Sequence, residues 1–198
     1  MSEEQLNANF IKYITRLKKY NCYSQEMIDD IGDAIKRAPY SLTLESGGAY
    51  EGGMVDIVLN RLCRLAYDLN TRGFGPLDIS NLDSPYSHPK LMVNTEMLMR
   101  VLLLQHIGKA EMFIPQPEAW KLKKGWVYDF NEEIKSNLKL GERSLYLCQK
   151  YGIVLNDEEY EAIRIIDREM DEKHLVMSSR LCVFVRMCNL LTTIEMKS

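Results

Sequence analysis

The chain has 198 residues, 25 Lys and Arg against 28 Asp and Glu for a net charge of −3, 46% apolar residues, five cysteines and three histidines. A chain of this length supports one domain, here residues 1–198, whose core buries roughly 70% of the unfolded surface. The near-neutral balance excludes a global field for nucleic acid or anionic lipid, so any such contact has to be local.

The start, MSEEQLNANF, is acidic and polar, unlike a signal or transit peptide. The longest purely apolar run near the middle, Val101 to Leu104, is far below the roughly 18 residues that span a bilayer. The expected location is cytoplasmic, with no membrane partner. Cys22, Cys63, Cys148, Cys182 and Cys188 are scattered, without a CxxC pair, and read as buried free thiols rather than a disulfide framework or a zinc knuckle.

Taken in chain order, Leu6, Phe10, Tyr13, Ile14 and Leu17 form the apolar stripe of a first helix. Ser24 caps a second helix carrying Met27, Ile28, Ile31, Ala34 and Ile35, which Pro39 stops near Ala38. These are the N-terminal helices of residues 1–41. A third helix is expected over about 53–70, before the breakers of TRGFGP. Residues 72–90 read as a polar surface loop in which His88 is exposed. Asn94 caps a helix to about His106 whose MLMRVLLL core is apolar on nearly every side, and Gly108 is expected to end it with positive φ.

LKKGWVYDF, with Lys124-Gly125 at its centre, predicts a small β-hairpin at about 120–130. Further helices are expected over 139–151, over 157–172 with Asn156 and Glu159 as a capping pair, and over 179–195. The fold class is therefore mostly α: a helical bundle of about seven helices with one hairpin.

Three segments carry specific words: SGGAYEGGMVDIVLN (46–60), LLLQHIGKAEMF (102–113) and LKLGERSLYLCQKYG (138–152). In this order they resemble the HD-domain phosphohydrolase superfamily, in particular the HD domain of bacterial 3′-5′ exoribonucleases, over about residues 42–195. The resemblance implies a helical domain in which histidines and aspartates hold one or two divalent metals that activate water against a phosphate ester.

The ligand positions have changed. Paired histidines of the family correspond to Gly47 and Gly48, a third to Ile57, the His-Asp step to Gln105 and His106, a Gly-His step to Gly141 and Glu142, and a late Ala-Asp to Met187 and Cys188. Glycine and isoleucine cannot ligate. Three histidines, His88, His106 and His174, are also too few for that site. The scaffold words fit a domain that has lost its metal, so no metal or cofactor is expected.

Other constellations have competing readings. Glu51, Asp56, His106, Glu142 and Asp167 are an oxygen-rich set that could converge on Mg²⁺ or Mn²⁺, or be helix-start carboxylates and surface charges. Trp120, Lys121, Lys123, Lys124, Trp126 and Tyr128 interleave aromatic and basic residues, which suits base stacking, a protein contact, or a hairpin with one docked face. Arg164, Asp167, Arg168, Glu169, Asp171, Glu172 and Lys173 read as a solvated helix face. A nucleophilic Cys148, Cys182 or Cys188 acting with His174 requires a spatial juxtaposition.

The leading expectation is a catalytically inactive HD-like domain, a pseudoenzyme that serves as a structural or protein-binding subunit of a homo-oligomer or larger assembly. A virus or phage structural complex, and hence a virion location, is one compatible setting. The alternatives are a divergent metal-dependent nucleotide or nucleic-acid phosphohydrolase and a nucleic-acid-binding pseudoenzyme.

Overall fold

The computed structural model describes residues 1–72, 93–134, 136–168 and 178–197. The expected loop at 72–90 with His88, and His174 with its neighbours in the charged run, lie outside the described residues.

The architecture is mostly helical with one small antiparallel sheet. Helices α1 (Glu3–Lys19) and α2 (Gln25–Arg37) follow the predicted stripes. Ser24 caps α2 by accepting from the Met27 amide. The chain then passes a 3-10 turn at Leu44–Ser46 and enters α3 (Gly53–Ile57), a π turn (Val58–Leu62) and α4 (Cys63–Arg72).

The sequence pattern predicts one uninterrupted α-helix in place of these last three pieces. In the π turn the Cys63 amide donates to Val58 rather than Leu59, and the released Leu59 carbonyl accepts from Arg16 at 3.5 Å. A tertiary cation thus supports the local insertion.

Helix α5 (Thr95–Leu104) is the central buried element. Asn94 accepts from the Glu96 and Met97 amides at its start, Leu98, Val101, Leu102 and Leu104 have no exposed surface, and the Tyr13 hydroxyl donates to the Leu103 carbonyl at 2.5 Å. It ends at Leu104, so Gln105, His106, Ile107 and Gly108 form the turn into the short α6 (Lys109–Met112).

The expected positive φ at Gly108 is not found; its φ is −56°. Space is the reason for glycine there: a Cβ would lie 3.0 Å from the Arg143 Cβ and 3.1 Å from the Leu140 carbonyl oxygen. The residue lets the 105–108 turn touch the start of α8 (Leu140–Lys150).

The predicted hairpin is displaced. Strands β1 (Phe113–Pro115) and β2 (Tyr128–Phe130) pair with Phe113 opposite Phe130, and α7 (Ala119–Lys123) stands between them. Trp120, Lys121 and Lys123 are therefore on a helical turn rather than a strand. Gly125, at φ +83°, follows its end, with Trp126 N donating to Lys121 O and Gly125 N to Leu122 O. Lys-Gly here closes a helix, whereas it was expected to turn a hairpin.

Helices α8, α9 (Asp157–Arg164) and α10 (Arg180–Lys197) complete the bundle. The predicted Asn156–Glu159 capping box is present at α9. Helix α9 ends at Arg164, and tertiary contacts hold the turn that follows: the Asp167 carboxylate accepts from the Leu140 amide at 2.7 Å, and Arg168 pairs with Glu142; the expected span beyond 168 lies outside the described residues. The core joins α5 to α4, α9 and α10, with α8 on α9. All five cysteines are free and buried, and burial pushes the thiols of Cys22, Cys148 and Cys188 up to about 12.

Candidate functional site

The positions singled out by the sequence words surround Tyr40. The Tyr40 amide donates to the Gly48 carbonyl at 2.9 Å and the Gly52 amide to the Arg37 carbonyl at 3.0 Å, bringing the 46–53 segment against the chain leaving α2. Gly48 has φ +73°, and a Cβ there would lie 2.4 Å from the Ile57 Cδ1 and 2.7 Å from the Tyr40 Cβ. Both backbone conformation and space therefore exclude a larger residue. Gly47 rests against Met196 of α10.

His106 lies on the other side of Tyr40. The two rings meet edge to face with centroids 4.9 Å apart, and His106 Nε2 is 3.3 Å from the Tyr40 hydroxyl. Nδ1 is buried with no hydrogen-bond partner among the described residues. Burial, together with the neighbouring Lys109 charge, holds the imidazole well below its usual range.

Lys109 is itself buried. Its Nζ donates to the Tyr40 carbonyl at 2.5 Å and lies 3.7 Å from the centroid of the Tyr40 ring. It has no carboxylate partner among the described residues, and burial pushes the amine down to about 7. Beside it, Gln105 and Asn189 exchange amide hydrogen bonds at 3.2 and 3.0 Å, and the Ser144 hydroxyl donates to the Gln105 carbonyl while accepting from the Gly108 amide. Cys188 is completely buried.

These residues do not fit a divalent metal. The imidazole has one nitrogen engaged with Tyr40 and an amine for a neighbour, and among the described residues no acid faces it to balance a dication. The oxygen-rich set is divided among separate networks. Glu51 pairs with Arg37. Asp56 accepts from Asn9, Tyr50 and Asn60. Glu142 closes onto the Lys139 amide and Arg168, and Asp167 serves the start of α8. Among the described residues no three His, Cys, Asp or Glu side chains come together to hold a metal ion.

The second region singled out, the α7 module, is exposed. Trp120 and Trp126 keep 56% and 42% of their surface; Lys123 and Lys124 are exposed, while Tyr128 is half-buried in β2. Lys121 is neutralised by Glu118 and Asp129.

Sequence reasoning missed Tyr40, Lys109 and Asn189, which make most of the contacts to His106 and Gln105. It also missed the Arg100–Glu159 pair, at 2.6 Å with both side chains nearly removed from solvent. A lone arginine inside MLMRVLLL was the available signal for the latter, because a cation in an all-round apolar helix needs a buried acid.

By fold the protein is a mostly α-helical bundle carrying a two-stranded antiparallel sheet. No helix among the described residues is long and apolar enough to cross a membrane. The chain matches no family model, and no curated protein or solved structure is significantly similar to it.

Proposed function

We propose that this chain is a degenerate HD-like domain that does not hydrolyse phosphoesters and acts as a structural or protein-binding subunit of a larger assembly, a virus or phage structural complex being one compatible setting. The observation that carries the reading is the packing at Gly48. Where the resembled family places a metal-binding histidine, there is no side chain, and the space is filled by Ile57 and Tyr40 to within 2.4 and 2.7 Å of an added Cβ. The one histidine left near a family ligand position is turned onto Tyr40 beside a buried amine.

The rest of the sequence words also have structural work here. Gly53 is needed because a Cβ would lie 2.2 Å from the Gly48 carbonyl oxygen, and Gly141 because one would lie 2.3 Å from the Ile163 carbonyl oxygen at the α8–α9 crossing. These words therefore specify close backbone approaches.

The test combines two measurements on the full chain. Incubation with Mg²⁺, Mn²⁺, Fe²⁺ or Zn²⁺ and a generic phosphodiester is expected to give no hydrolysis, while light scattering is expected to show an assembly or a co-purifying protein. Metal-dependent hydrolysis that disappears in His106→Ala overturns the reading.

A further inference from the structure

Two exposed apolar surfaces of the chain are each bordered by charges, of opposite sign. The first is a groove of about 550 Å³ between α8 and the chain entering α9, lined chiefly by Leu138, Tyr146, Val154, Leu155 and Tyr160. Val154 and Tyr160 keep 82% and 51% of their surface, a large apolar exposure for adjacent side chains. The wall is held in place, because the Val154 carbonyl accepts from Arg100 Nη2 at 2.5 Å.

Asp157 and Glu158, in the first turn of α9, stand exposed beside this wall, and neither has an ion-pair partner among the described residues. Glu142, Arg143, Lys150 and Glu159 are paired with Arg168, Glu111, Asp30 and Arg100, and the exposed Arg164 stands one turn along α9 from Tyr160. Lys139 borders the far end, beside Leu138. Among the described residues, the exposed charge nearest Val154, in the first turn of α9, is negative.

The second surface is the α7 module, which projects Trp120, Leu122 and Trp126. Lys123 and Lys124 are exposed and have no carboxylate partner among the described residues, with the Lys124 Nζ 5.1 Å from the centroid of the Trp120 ring. Its tip is fixed on the 42–44 segment by Leu44 N to Gly125 O and Val127 N to Leu42 O, both 2.9 Å. The acids on its flank, Glu118 and Asp129, share Lys121, Glu132 and Glu133 lie by the β2 end, and Glu45 is exposed in the turn bonded to Gly125. Among the described residues, the exposed charge at the end of α7, beside Trp120 and Trp126, is positive.

We propose that the α7 tip of one molecule seats in the α8–α9 groove of a second copy, with Trp120 and Trp126 against the Val154–Tyr160 wall and Lys123 and Lys124 against Asp157 and Glu158. This rests on the reading of the chain as an assembly subunit and names the contact that builds the assembly. Exposed tryptophans entering an apolar groove are the residues that usually dominate an interface, and opposite charges at the rim set its orientation. Because the two patches differ, the contact is head-to-tail, so repetition closes a ring or extends a filament.

The test is sedimentation of the full chain over a concentration series at low and raised salt. The wild type is expected to exceed monomer mass as concentration rises, less so in high salt. Lys123→Glu with Lys124→Glu, and separately Asp157→Lys with Glu158→Lys, each place like charges across the contact and are expected to weaken self-association at least tenfold with an unchanged circular dichroism spectrum. An equimolar mixture of these two variants restores opposite charges and is expected to regain the wild-type mass.

Self-association unaffected by either double variant, or a mixture that stays monomeric, overturns the contact while leaving the subunit reading in place. A wild type that is monomeric throughout but binds a fluorescent oligothymidine, with binding lost in Lys123→Glu/Lys124→Glu, assigns the tip to nucleic acid and also overturns it. Failure of the subunit reading itself is seen separately, as metal-dependent hydrolysis.

Discussion

Arg100 and Lys109 are both cations withdrawn from solvent at opposite ends of the same central segment, and their surroundings differ in kind. Arg100 meets the Glu159 carboxylate at 2.6 Å and donates to the carbonyls of Tyr20, Asn21 and Val154. Lys109 has one carbonyl and the face of Tyr40. A guanidinium with a rigid fork of donors can tie α5 to α9 and two loops at once. An amine held by a single carbonyl ties down little, and burial drives it toward the neutral state. The first site is a structural joint. The second is a buried polar cluster packed against Gly48 and Tyr40.

The sharpest way to break this contrast is Arg100→Met, which leaves Glu159 buried without a countercharge. Chemical denaturation is expected to show a loss of about 3–5 kcal/mol. Removing both partners in Arg100→Met/Glu159→Leu should recover part of that loss, since the uncompensated charge is gone.

Gly48→Ala tests the closed wall of the second pocket. A side chain at φ +73° that also approaches Ile57 and Tyr40 is expected to destabilise by about 2–3 kcal/mol, read as a lower denaturant midpoint. A change below the error of the measurement would mean that the pocket yields.

Lys109→Met is expected to raise stability at pH 7, because it removes an amine that burial disfavours in its charged form. Its distinguishing sign is in pH dependence. The folded amine titrates at about 7 and the unfolded one near 10.4, so between these values the unfolded chain holds the extra proton. Wild-type stability relative to Lys109→Met should therefore rise as pH is raised from about 7 to about 10, by up to about 1.4 kcal/mol per pH unit, and fall back as pH is lowered. Taking the difference from the variant removes the opposing effect of the buried thiols, whose raised pKa values favour unfolding at alkaline pH.

The smallest effect is expected at Asp30, whose carboxyl is held below its usual range by Lys150 and Tyr151. The pair is on the surface, so Asp30→Asn should leave the thermal midpoint unchanged within error.

Much of the fold was legible because helix formation follows local periodicity. The stripes of α1 and α2, the Ser24, Asn94 and Asn156 caps and the buried character of α5 all follow from residues within a few positions of one another. The departures arise where distant groups intervene. Arg16 from α1 takes the Leu59 carbonyl at the π turn. Asp167 and Arg168 leave α9 to serve the start of α8. Gly125 follows a helix end because Ala119–Lys123 coils between strands that pair at Phe113 and Phe130.

For the candidate site, the sequence by itself determined that positions 47, 48 and 57 offer no ligating group, because glycine and isoleucine carry none. Only the tertiary structure decided how that space is used. Tyr40, outside every word that drew attention to the site, contacts Gly48, Ile57's neighbourhood, His106 and Lys109 together. Side-chain chemistry is a property of each residue, whereas the filling of a pocket depends on what the fold brings in from elsewhere in the chain.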